Sequence, residues 1–279
     1  VLYREKRAKE RAEERANKKP AAAQSHINVV ENGERRPLNV DALSGLITES
    51  CSGLGEAVDA QGILQETLKN LYDGVPAEEV RKSSILSARA LIEKDPAFSF
   101  VTARLLLNNI RFEVLGEEVT QADMANHYAE YFPRFVKLGI GAELLDPRLG
   151  TYDLKKLGRA LDASRDLKFG YLGLQILYDR YFLHIDEVRI EMPQAFFMRV
   201  AMGLALNEID REARAIEFYN VLSSFDLMSS TPTLFNSGTL RSQLSSCYLT
   251  TVSDDLDGIY EAIKENALLQ KFAGGLGND

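Results

Sequence analysis

Residues 229–279 carry the side chains best suited to chemistry: SSTPTLFNSGTLRSQLSSCYLTTVSDDLDGIYEAIKENALLQKFAGGLGND. Cys247 is one of two cysteines in the chain, with Ser245 and Ser246 before it and Thr250 and Thr251 after it. An ionisable, accessible thiol is a redox group or a nucleophile, whereas an unactivated strand cysteine is a small buried hydrophobe. Both readings fit the spacing, and a redox role needs a second thiol, for which this chain offers Cys51 alone. Further on, Ser253, Asp254 and Asp255 lead into a run in which Leu256, Ile259, Ile263, Ala267 and Leu268 share a helical face. Carboxylates at that point cap a helix and suit its positive end. They would equally accept hydrogen bonds from a ribose while the apolar face packs on a partner subunit.

Other signals are weaker. AGGLGN, ending at Asn278, has the glycines of a phosphate loop, but no Lys-Ser/Thr pair follows and it comes after a helix rather than a strand. Glycine there still lets backbone approach a ligand closely. His26, His127 and His184 are far apart, and neither HxxxH nor CxxC occurs, so no metal site is expected. Two widely separated cysteines make no disulfide framework and point to a reducing, cytoplasmic setting. The net charge of −8 argues against a nucleic-acid surface. Apolar runs such as residues 196–206 fall well short of the roughly 20 residues that span a bilayer, so no membrane partner is expected. The chain opens on Val1 and stops among glycines, which suggests an internal piece of a longer protein.

Helices must position most of these groups. Residues 3–19 mix basic and acidic residues with Ala and read as a solvated helix ended by Pro20. Residues 26–40 alternate around Asn32-Gly33, a hairpin signal. Asp41 is expected to cap a helix reaching Cys51, followed by helices at 60–71, from Pro76, and at 98–115. A helix capped at Thr120 or Gln121 meets a kink or break at Pro133. Asp153 is a candidate N-cap, and Phe169, Tyr171, Tyr178, Tyr181 and Phe182 form a core stripe. Helices from Pro193 and over 211–224 complete this middle layer. Residues 227–238 and 242–252 then read as short β-like runs.

In that order, STPTLFNSGT, QLSSCYL, DDLDGIYEAI and the AGGLG after Lys271 resemble consecutive blocks of the large, catalytic subunit of class I ribonucleotide reductase. The resemblance implies a mainly α fold. A charged linker would occupy residues 1–24, an ATP-cone-like domain 25–116, a helical domain 117–225, and the first strands and helix of a ten-stranded α/β barrel 226–279. It makes Cys247 the first of a redox pair that reduces the substrate ribose, the second cysteine and the radical-forming cysteine lying beyond Asp279. Thr231 and Ser246 match positions that hold the substrate diphosphate, and Gly275 matches a glycine lying against the substrate. Asp254, Asp255, Leu256 and Lys271 match the specificity site, where a deoxynucleoside triphosphate or ATP effector binds beside the dimer interface. The implied partners are a second large subunit, a small subunit with a metal-radical cofactor, and thioredoxin or glutaredoxin; the chain itself holds no cofactor.

The cone departs from the family pattern. A Lys-Arg pair usually precedes its turn glycine and a Lys opens its first helix, whereas Val30, Glu31 and Asn32 precede Gly33 here and Ala42 stands at the helix position. A degenerate cone that does not bind ATP or dATP is expected. The chain alone is expected not to turn over. The competing expectation, from a different class, is a helical regulatory or assembly module without catalysis.

Overall fold

The computed structural model describes residues 27–279 apart from Asn32, Glu56 and Ala273. The charged segment 3–19 and His26 lie outside the described residues. The chain forms two compact units, one ending at Ala90 and the other Leu91–Asp279. It is mainly helical, with small sheets.

The first unit opens with antiparallel strands β1 (Asn28–Glu31) and β2 (Glu34–Pro37). Glu31 pairs with Glu34, so the connection has two residues, and Gly33 takes φ +81°, as a tight hairpin turn demands. Helices α1 (Val40–Cys51) and α2 (Ala60–Lys69) follow, then the short strand β3 (Val75–Pro76), parallel to β1, and helix α3 (Ala77–Arg89). Val29, Ile47, Ile63, Val75 and Ala88 make the core. The α1 cap is Asn39, whose side chain accepts from Ala42 N at 3.0 Å. Asp41, expected to be the cap, sits inside the first turn, where its carboxylate still faces the positive end of the helix.

The second unit is built around a helix that is buried along most of its length. Helices α4 (Ala97–Leu115), α5 (Met124–Gly141), α6 (Leu154–Arg159) and α7 (Tyr171–Ile176) precede it, with 3₁₀ turns at Pro147–Thr151 and Ala163–Lys168 and a π turn at Leu177–Tyr181. A two-stranded ribbon, β4 (His184–Ile185) and β5 (Val188–Arg189), leads into the central α8 (Pro193–Leu204), buried without a break from Pro193 to Met202. Helix α9 (Arg211–Ser223) packs along α8. Phe169, Phe182, Phe196, Phe197 and Phe225 interlock edge to face or stacked.

Three expectations are corrected here. Helix α5 starts after Asp123 rather than at Thr120 or Gln121, and Thr120 instead donates its hydroxyl to the Asp123 carboxylate at 2.7 Å. The break that Pro133 could have made does not occur, since the same helix continues past it. Residues 227–238 are not a strand: Thr231–Asn236 form helix α10, with Pro232 in the first turn, where its missing N–H costs nothing. Asp153 caps α6 as expected, accepting from Lys156 N at 2.9 Å.

Several buried polar side chains in this unit bond to one another. Asp166 accepts from Gln194 Nε2 at 2.8 Å, from the Tyr128 hydroxyl at 3.0 Å and from Arg111 Nη2 at 3.3 Å. Gln194 Oε1 accepts in turn from the Tyr219 hydroxyl at 2.8 Å. Burial pushes the Asp166 carboxyl up, against the pull of the Arg111 guanidinium. The same burial raises Tyr219 to about 12.

The chain ends in a β–α–β unit: strand β6 (Cys247–Thr250), helix α11 (Leu256–Lys271) and strand β7 (Gly275–Asn278), parallel to β6. A connecting helix is what a parallel pair requires.

Candidate functional site at the β6–β7 pair

The parallel register sets Cys247 opposite Gly275 and Tyr248 opposite Leu276. Gly275 donates its N–H to Ser246 O at 2.6 Å, which closes the start of the ladder. A Cβ on Gly275 would lie 3.3 Å from Ser246 O and 3.8 Å from Cys247 Sγ. Glycine therefore leaves the space beside the thiol open. Ser246 Oγ is 3.7 Å from Cys247 Sγ, and the thiol is free and exposed. Three of the predicted residues, Ser246, Cys247 and Gly275, thus meet at the start of the β6–β7 ladder.

The approach to Cys247 is held from two sides. Asn236 Nδ2 donates to Gln243 O at 2.8 Å and Thr233 Oγ1 to Leu244 O at 3.3 Å, binding the segment to α10. Gln243 Nε2 donates to Phe272 O at 2.9 Å, binding it to the end of α11. The Tyr248 hydroxyl turns back onto Ser245 O at 3.0 Å.

Thr231 is the first residue of α10 and is exposed, its Oγ1 3.0 Å from the Tyr181 hydroxyl. The far end of α10 is fixed by a buried ion pair. Arg199 on α8 meets Glu191 at 2.6 Å, both fully buried. Its Nη1 donates to Ser237 O at 2.7 Å and to Phe235 O at 3.4 Å, and its Nη2 to Leu234 O at 3.3 Å. A helix's last carbonyls have no partner within the helix, so one guanidinium fork completes the C-terminus of α10. Ser237 Oγ adds a bond to Val200 O at 2.7 Å. Gly203 and Gly238 let the two backbones touch: a Cβ on Gly203 would stand 2.1 Å from Gly238 N.

The remaining predicted residues lie on α11. Asp255 is its N-cap and accepts from Gly258 N at 2.9 Å; that N–H first, and then the Ser253 hydroxyl, hold the carboxyl below its ordinary value. Asp254 and Leu256 flank it, exposed. Lys271 closes the same helix, so 15 steps of 1.5 Å separate it from Leu256 by about 22 Å. One copy of α11 does not gather these four residues around one ligand. Its outer face is bare: Leu256, Ile259, Ile263 and Leu268 are all exposed, and Ala262 is its buried residue.

Sequence reading missed Tyr181, Glu191 and Arg199. The signal for the pair was present as two charges at the ends of a largely apolar run, EMPQAFFMR, where a charge is retained only if it is partnered. Among the described residues, no group of three His, Cys, Asp or Glu comes together as a metal site, and no helix is long and apolar enough to cross a membrane.

The helical body passes into a parallel β–α–β unit with an exposed thiol on its first strand, and sequence comparison bears on this arrangement directly. The family described as "Ribonucleotide reductase, all-alpha domain" matches residues 167–242. The ribonucleoside-diphosphate reductase alpha subunit of Chlamydia trachomatis is 44% identical over 100% of this chain and 27% of its own length. That of Helicobacter pylori is 36% identical over 91% of this chain and 31% of its own. The large subunit of Danio rerio is 34% identical over 88% of this chain and 31% of its own. The chain belongs to the ribonucleotide reductase large-subunit family. It spans between a quarter and a third of the length of these relatives.

Proposed function

We propose that this chain is the part of a class I ribonucleotide reductase large subunit that carries a regulatory-type cone, the helical domain, and the opening of the catalytic barrel. Cys247 serves as one of two thiols that reduce a ribonucleoside diphosphate to its 2′-deoxy form. The two thiols give up two electrons and two protons and become a disulfide, while the 2′-oxygen leaves as water. Thioredoxin or glutaredoxin restores the thiols. The small subunit supplies the radical.

The observation that carries this reading is the register of Cys247 opposite Gly275, which leaves an exposed thiol on an open strand edge. Thr231 and Ser246 supply hydroxyl donors for the diphosphate. Because Asp254, Asp255 and Leu256 stand at one end of α11 and Lys271 at the other, a specificity site needs the ends of two α11 helices from two copies. A homodimer through the bare apolar face of α11 meets that need.

The first unit reads as a cone that has lost its nucleotide. Its arginines on β2 are engaged by carboxylates, Arg35 with Asp73 and Arg36 with Glu31. In the complete enzyme, Cys247→Ser is expected to abolish thioredoxin-driven turnover, a loss of at least about a thousandfold. Turnover within tenfold of the parent would contradict the redox role.

A further inference from the structure

Tyr181 ends the π turn, where Phe182 N donates to Leu177 O at 2.9 Å across five residues. π turns are rare and occur often at functional sites. Here the turn sets two neighbouring rings against α8: Phe182 packs against Phe196 at 5.7 Å, and Tyr181 meets the same ring edge-on at 6.3 Å. The outer side of Tyr181 stacks on Phe235 of α10 at 4.4 Å, with the ring planes 29° apart. Its hydroxyl is then 3.0 Å from Thr231 Oγ1.

A threonine hydroxyl has one hydrogen to donate and two lone pairs. A phenol is the better donor of the two, and with its hydrogen on Thr231 Oγ1 the threonine hydrogen is left to face outward. Donor chains of this kind polarise in one direction, which strengthens the terminal O–H as a donor to an anion. Without the phenol, the Thr231 hydroxyl turns freely and spends part of its time presenting a lone pair to an incoming phosphate.

We propose that Tyr181 is a positioning residue for diphosphate recognition: it fixes the Thr231 hydroxyl as a donor to the phosphate oxygens. This rests on the reading of Thr231 as a substrate-diphosphate residue. The phenol acts through Thr231 and touches no reacting atom, so its effect belongs in substrate binding rather than in the chemical step.

The test is steady-state kinetics with a ribonucleoside diphosphate on the complete enzyme, for Tyr181→Phe, Thr231→Val and the double variant, beside thermal unfolding of each. Tyr181→Phe keeps the ring stack and loses one hydroxyl. It is expected to raise KM roughly three- to tenfold, with kcat within about twofold and an unchanged unfolding temperature. Thr231→Val is expected to raise KM at least as much, and the double variant to match Thr231→Val alone, because the phenol has then lost its target. Two results would overturn the inference while leaving Thr231 in place: a parental KM in Tyr181→Phe when Thr231→Val is impaired, or two effects that multiply in the double variant. A parental KM in Thr231→Val would remove the diphosphate reading of Thr231 and the inference with it.

Discussion

Arg199 and Lys271 are both cations on helices of the same compact unit, yet their surroundings are opposite. Arg199 is fully buried, paired with Glu191 and bonded to three carbonyls at the end of α10. Lys271 is exposed, its Nζ 6.0 Å from the Phe272 ring. The same contrast runs through the carboxylates: Asp166 is buried among Arg111, Tyr128 and Gln194, while Asp254 and Asp255 stand in the open at the start of α11. Arg199 and Asp166 in the helical body are architecture, paired where an unmet charge would be costly. Polar groups on the β6–α11–β7 unit face outward, where a substrate, an effector or a second copy can use them.

Arg199→Met gives this contrast its hardest trial. It leaves Glu191 buried without its partner and strips the cap from α10, so a loss of about 3–5 kcal/mol is expected in urea unfolding. Cys247→Ser, on the exposed strand edge, should fall within about 0.5 kcal/mol of the parent in the same experiment. Similar losses for the two would erase the distinction between body and edge.

A smaller effect is expected from Asp255. Its carboxyl is held below the ordinary value by the Gly258 N–H and the Ser253 hydroxyl, so the folded state binds that proton less tightly than the unfolded chain does. The stabilisation is therefore fully present above the unfolded value, near ~4, and fades as the pH falls through the folded one. Amide exchange in the first turn of α11, corrected for intrinsic rates, should accelerate as the solution is acidified below that value. Asp255→Ala should show fast exchange throughout with no such transition; a transition that survives the substitution would assign it to another group.

Much of this fold is legible in the sequence because its signals are local. The Asn32-Gly33 dipeptide marks the β1–β2 hairpin, Asp153 marks a helix start, and Pro193 opens the apolar helix at the centre of the second unit. Helix α10 was hidden because Ser and Thr around Pro232 imitate a strand, and what holds the helix is Arg199, more than thirty residues earlier in the chain. The Cys247–Gly275 register was equally hidden, since parallel pairing is made across an intervening helix and leaves no local pattern. Tyr181 reads as one aromatic in a core stripe, and its hydroxyl shows a different use once the π turn places it beside Thr231. The resemblance of ordered blocks reached Cys247, Ser246 and Gly275 separately, and the strand register brings them together at the start of the β6–β7 ladder.

The central claim is that Cys247 is a redox thiol. The complete enzyme, reduced, freed of external reductant and given one equivalent of a ribonucleoside diphosphate, can be quenched with an alkylating agent and mapped by peptide mass. After turnover, Cys247 should appear in a disulfide with a cysteine outside this chain. Recovery of Cys247 fully alkylated from a sample that has formed the deoxynucleotide would contradict the account.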